Sequence, residues 1–400
     1  MTSGATSNDD PSIPDFSLTA GGLFYQLLRR LHLVDESQMQ MKPIVMVIVP
    51  LLAWLPLLVL CGLEGRLAGN VPVPFLKDQE AHIRLLVALP LLLAAEIMTT
   101  HRMRPLLRMF HRRHLISEDE RPRLDAIATS MFRLRDSLLP EIAVIAFVYG
   151  IGITIVWRQL VALQTATWYA TESGGVSSLT IAGLWYGYVS LPIFQFLLCR
   201  WYLRLIIWAR FLWQVSGIRL NLQPTHPDRV GGLSFISAAM SGLVVLAVAL
   251  GTLLAAYVST RVFQMAASLY DFKTEAALMV VFVLCIVLGP LLVFSPQLRT
   301  TRRAGLAEYG TLATGYVEAF GDKWMRGSRP ADEELIGSAD IQSLADLGNS
   351  YGLVQAMRTV LFSKEDIMRF AVATLVPVAP LALAVLPLDE LVNKLIGILF

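Results

Sequence analysis

Seven apolar stretches of roughly twenty residues, separated by charge-rich connectors, constrain what this chain can become. They run from Pro43 to Leu63, Ile83 to Thr100, Leu138 to Trp157, from Leu179 onward, Leu233 to Val258, Ala276 to Pro296 and Ile367 to Leu386. At about 1.5 Å per residue each covers, or nearly covers, a hydrocarbon core of about 30 Å. Lipid offers the backbone no hydrogen bonds, so such runs must be helical. The expected fold class is therefore all-α: a polytopic helical membrane protein with about seven transmembrane helices and a small helical cytoplasmic insertion. Only 16% of the 400 residues are charged, against about a quarter in a soluble domain.

The cations set an orientation. All but seven of the 33 Lys and Arg residues fall in connectors on one side or in the tail before the first span. The seven are Arg66, Lys77, Arg84, Arg158, Arg261, Lys273 and Lys394. The positive-inside rule then places the N-terminus in the cytoplasm and, with seven spans, the C-terminus outside. Six or eight spans remain open, because the second run is short and Leu388–Phe400 is itself apolar. That last stretch reads as an interfacial helix. Arginine far outnumbers lysine, the bias of a GC-rich bacterial genome, which points to a bacterial inner (cytoplasmic) membrane.

Four regions follow. Residues 1–42 form a cytoplasmic tail and amphipathic helix; Leu23, Phe24, Leu27, Leu28 and Leu31 recur at helical spacing. Such a helix lies either in the headgroup plane or against the cytoplasmic loops. Residues 43–298 are a six-span bundle. Residues 299–366 are the cytoplasmic helical insertion, in which Tyr309, Leu312, Ala313, Tyr316, Phe320 and Trp324 recur every three or four positions. Residues 367–400 are the seventh span and the C-terminal helix. Met1–Asp15 has no basic region and reads as a short tail rather than a signal peptide.

Prolines 50, 56, 90, 192, 290, 377 and 380 lie inside the spans and predict kinks. The fourth span overruns the bilayer, with Trp201, Tyr202, Trp208 and Trp213 beside Arg200 and Arg204. This predicts an interfacial aromatic belt with snorkelling arginines.

Three stretches carry a family resemblance: His226-Pro-Asp-Arg-Val-Gly-Gly-Leu233, Glu308-Tyr-Gly310 through Asp322-Lys-Trp324, and Gly337-Ser-Ala-Asp-Ile-Gln-Ser-Leu-Ala-Asp-Leu347. Together they resemble a family of uncharacterised bacterial multi-pass inner-membrane proteins. The resemblance covers mainly the second half of the chain and implies a location but no chemistry.

Two constellations are candidate sites. In the first, His226, Asp228, Arg229, Gly231 and Gly232 open the fifth span. Bare glycine amides at a helix start, with Arg229 and His226, suit an anion or lipid headgroup. The alternative is turn chemistry, with Asp228 as a cap. In the second, Glu96 and Glu141 lie at matched depth inside the second and third spans and suit a proton or cation pathway. The alternative is ion pairing, with Arg369 or Arg135 as partners. Ala247, Gly251, Ala255 and Ser259, and likewise Ala146, Gly150 and Thr154, are small-residue stripes that suit close helix contacts.

No motif for a hydrolase, a phosphate loop or a cofactor is present, so no catalytic residue, metal or cofactor is expected. A net charge of +2 does not suggest nucleic acid. The expected partners are membrane lipids, anionic headgroups at the cytoplasmic face; a homo-oligomer stays open. Transport or permeation of a small solute or ion is the leading expectation. A membrane-anchored scaffold using residues 299–366, or a lipid-headgroup enzyme, are the alternatives.

Overall fold

A computed structural model describes residues 15–35, 40–152, 167–173, 176–265, 267–327, 335 and 337–385. The chain is overwhelmingly helical. Five helices are long and apolar enough to cross a membrane: α2 (Val45–Leu63), α3 (Gln79–Arg112), α6 (Ile181–Val215), α7 (Ser234–Gln264) and α8 (Leu269–Arg326). Shorter ones are α1 (Gly22–Arg30), α4 (Arg121–Asp136), α5 (Leu138–Gly152), α9 (Ala339–Gln355), α10 (Lys364–Leu375) and α11 (Ala379–Val385). The strands make two small antiparallel hairpins, β1 (Val34–Asp35) with β2 (Gln40–Met41) and β3 (Ala170–Ser173) with β4 (Val176–Leu179).

The apolar surface fits lipid rather than water. Along α2, Val47, Leu51, Leu55 and Val59 stand exposed while Ala53, Leu57 and Cys61 are buried. Apolar patches of that extent do not persist on a soluble monomer.

Connectors gather at two ends. At one end, Asn221 N donates to Leu115 O (2.8 Å), Arg358 N to Arg229 O (2.7 Å) and the Gln297 side chain to Ser216 O (2.7 Å). At the other, Trp168 N donates to Val73 O (3.1 Å). There Trp54, Phe75, His82, Trp168 and Tyr186 form an aromatic cap. Trp54 Nε1 donates to His82 Nδ1 (2.9 Å), so His82 carries its proton on Nε2, which faces Phe75 O at 2.9 Å.

Pro50 and Pro56 lie within the uninterrupted α-helix α2, whereas four others adjoin irregular turns. Pro90 and Pro192 each follow a π-helical turn, Arg84–Ala88 and Tyr186–Ser190. Pro290 and Pro377 sit in 3-10 turns. Proline lacks an N–H and crowds the carbonyl four residues back, so the neighbouring turn widens or tightens.

Helix α7 is the most buried of the five long helices. Ala247, Gly251, Ala255 and Ser259 are all buried, and a Cβ on Gly251 would overlap the Thr374 carbonyl of α10. The other stripe behaves differently. Ala146 is exposed and, among the described residues, no atom lies within 4 Å of a Cβ built on Gly150; Thr154 lies outside the described residues, as does Leu388–Phe400.

Three expectations change. The helix outruns the second apolar run: α3 continues through the basic block to Arg112, with a break only at Arg104–Pro105. The expected boundary at residue 298/299 falls inside one continuous helix, α8, of 58 residues. The tail is not separate from the bundle: Phe16, Ser17, Leu18, Thr19 and Ala20 are buried in it.

Candidate functional site

Glu96 and Glu141 come together, and arginines join them. Arg200 Nη1 donates to Glu96 Oε1 (2.5 Å) and Arg200 Nε to Glu141 Oε1 (2.8 Å). Arg204 Nη1 lies 2.6 Å from the same Glu96 oxygen. The four side chains are between 2% and 8% exposed. Two positive and two negative charges balance, so the cluster carries no net charge into an apolar surrounding. Burial of that kind is tolerated only when charges are paired and their remaining hydrogen bonds are met.

The N-terminal segment meets most of the remaining bonds; Arg204 Nη1 has only its ion pair with Glu96. Arg200 Nη2 donates to Gly21 O (3.0 Å) and Arg204 Nη2 to Thr19 O (2.8 Å). The other Glu141 oxygen accepts from the backbone N–H groups of Leu23 and Phe24, the second at 3.4 Å. Glu141 thus caps the start of α1, where unpaired amides favour a carboxylate. Gly22 has φ +84°, and a Cβ there would run into the Glu141 carboxylate. Thr19 and Thr100 join hydroxyl to hydroxyl, and Thr100 also donates to Glu96 O (2.8 Å). Arg200 lies 5.0 Å above the Phe24 ring and Arg204 5.5 Å above Trp201. A cavity of about 10 Å³ beside Glu96 and Thr100 has room for about one water.

The glutamates are therefore not a mutually repelling pair. Neither expected partner serves them: Arg135 binds Asp136 and Ser17 O, and Arg369 faces Asp366. Arg200 and Arg204 do not snorkel either. They point into the core with Trp201 and Trp208, while Trp213 alone of these tryptophans is exposed. Charge balance was the available signal: two acids within apolar runs need cations, and Arg200 and Arg204 stand four apart in such a run.

The His226–Gly232 loop is closed on itself. The Asp228 carboxylate accepts from the N–H groups of Val230 (2.9 Å), Gly232 (3.1 Å) and Ser234 (3.1 Å). Of the two glycine amides expected to stand open to an anion, that of Gly232 is thus occupied by the loop's own side chain. Desolvation works against ionising Asp228, but these bonds and the Ser234 hydroxyl outweigh it and hold the carboxyl below its ordinary range. Arg229, at φ +59°, passes its carbonyl to Arg358 N, and Gly231 and Gly232 have φ +67° and +99°. Arg113 binds Gly232 O (2.6 Å) and His226 Nδ1 lies 2.9 Å from Asp228. The loop locks α7 to the end of α3.

No family profile, no curated protein and no solved structure matches this chain.

Proposed function

We propose that this is an inner-membrane protein of seven spans that conducts or carries a small solute or ion, seen with its pathway closed. One observation carries the reading. A charge-balanced cluster lies inside an apolar bundle, completed by a non-helical segment entering from one end. Ionisable groups at membrane depth mark pathways by default. Replacing such a cluster by apolar side chains of similar volume is often neutral or stabilising, so packing alone does not demand it.

The seven-span count adds α5 and the α10–α11 unit to the five long helices. Residues 15–35 and the basic connectors lie on the cytoplasmic side. Reporter fusions after Ser117, Ser173, Ser338 and at the C-terminus then read in, out, in, out. A cytoplasmic C-terminus overturns the count.

The pathway is tested by flux in proteoliposomes, with alkali cations, protons, halides and small carboxylates offered in turn. Wild type is compared with Glu96→Gln and Arg204→Gln. Altered flux in a variant that stays folded supports the pathway. No flux for any solute, with variants that only lose stability, rejects it.

A second reading rests on the arm formed by α8 and α9. Tyr316 donates to Asp340 O (3.0 Å), and Lys323 and Trp324 both bind the Asp340 carboxylate (2.8 and 3.0 Å). Leu312, Val317 and Ile341 stay exposed on this two-helix arm. A protein-binding scaffold would use that surface.

A further inference from the structure

The segment Asp15–Gly21 has neither helix nor strand, yet three helices hold it, and a fourth holds the start of α1 beside it. Asp15 ion-pairs with Arg104 (2.5 Å) and Arg108 of α3. Phe16 N donates to Arg104 O (3.1 Å). The Phe16 ring packs against Phe132 of α4 and against Trp208 and Phe211 of α6. Arg135 of α4 donates to Ser17 O (2.6 Å). Thr19 and Gly21 take the arginines of α6, and Glu141 of α5 takes the first amides of α1. Most of these tethers are charged side chains on the bundle.

The next element has the opposite character. In α1, Leu28 is buried while Leu23, Leu27 and Leu31 are exposed in one row four residues apart, with Arg29 and Arg30 beside them. An apolar stripe flanked by arginines seats at the boundary between headgroups and acyl chains. A short stretch of chain thus carries an exposed apolar stripe at one end and is tied to a buried ionic cluster at the other.

Withdrawal of the segment has two opposing terms. Phe16 would leave an apolar pocket, which resists opening. The cluster would regain hydration lost on burial, which favours it. Opposing terms of this kind suit an element with two positions.

We propose that Asp15–Gly21 is a removable plug over the Arg200–Glu141 cluster, and that α1 is the handle by which an anionic lipid surface seats it. The consequence for flux rests on the permeation reading; the plug itself does not.

The test is water access to position 100. Cys61, Cys199 and Cys285 are replaced by Ala, and Thr100→Cys is added. Labelling by a membrane-impermeant maleimide is followed in vesicles. Slow labelling is expected with anionic lipid. Neutral lipid, Leu27→Glu and Asp15→Arg should each raise the rate about tenfold or more, as a shifted opening equilibrium requires. The lipid arm needs no change to the plug, so it decides the matter even where both variants unfold. Fast labelling in anionic vesicles, or a rate indifferent to lipid, overturns the plug. Lipid-dependent labelling without any flux keeps the plug and rejects the permeation reading instead.

Discussion

Arg200 Nε donates to Glu141 Oε1 across 2.8 Å, tying the middle of α6 to the first turn of α5. Its other nitrogens reach Glu96 and Gly21 O, so one guanidinium joins three helices and the N-terminal segment. Arg200→Met should cost about 3–5 kcal/mol, because it leaves the buried Glu141 carboxylate without a cation and Glu96 with Arg204 alone. Glu141→Gln should cost less, since an amide oxygen still accepts from Leu23 and Phe24. Thermal unfolding in detergent orders the two; a wild-type midpoint for Arg200→Met would show that the cluster is not ionised.

The two small-residue stripes should respond oppositely. Gly251→Leu puts a side chain into the Thr374 backbone and should cost about 1–3 kcal/mol or disrupt assembly. Gly150→Leu meets no atom of the described residues and should leave the midpoint within about 0.5 kcal/mol of wild type. Equal sensitivity would place α5 against a neighbour not described here.

Asp228 makes the α7 entry acid-sensitive. Its folded pKa is depressed, so its contribution is present above the ordinary aspartate value of about 3.9 and fades as pH falls through the lower folded value. Asp228→Asn should cost about 1–2 kcal/mol at neutral pH. The gap between variant and wild type should close below about pH 4. Melting both proteins from pH 7 to pH 3 checks this; no gap at pH 7 would mean that an amide caps the loop equally well, and a gap constant with pH that its cost does not come from the carboxylate charge.

On the arm, no atom of the described residues lies within 4 Å of a Cβ added to Gly315 of α8. Gly315→Ala should stabilise by about 0.5–1 kcal/mol through helix propensity alone. Gly315→Leu should leave the isolated protein folded. If it also abolishes site-specific crosslinking from Val317 in native membranes, the arm has a partner; unchanged crosslinking removes this face from consideration.

Helical runs could be read from the sequence because lipid leaves the backbone no choice: an apolar stretch such as Val45–Leu63 must satisfy its own hydrogen bonds. The Gly251 row was legible for a related reason, since small residues at helical spacing are what close backbones require. Asp228 declared itself as a cap by its place before a helix start, although not which of the loop's amides its carboxylate would take. Other features depended on tertiary structure. In a soluble helix polarity marks the outward face, but here lipid and core are both apolar, so hydropathy could not tell whether Arg200 and Arg204 face in or out. Their partners, Glu96 and Glu141, stand 104 and 59 residues away, and only packing of α3, α5 and α6 chooses between ion pair and repelling acids. Phe16 illustrates the limit most sharply. A single aromatic in a short polar tail has no periodicity to read, and its burial against Trp208 and Phe211 exists only once those helices have assembled around it.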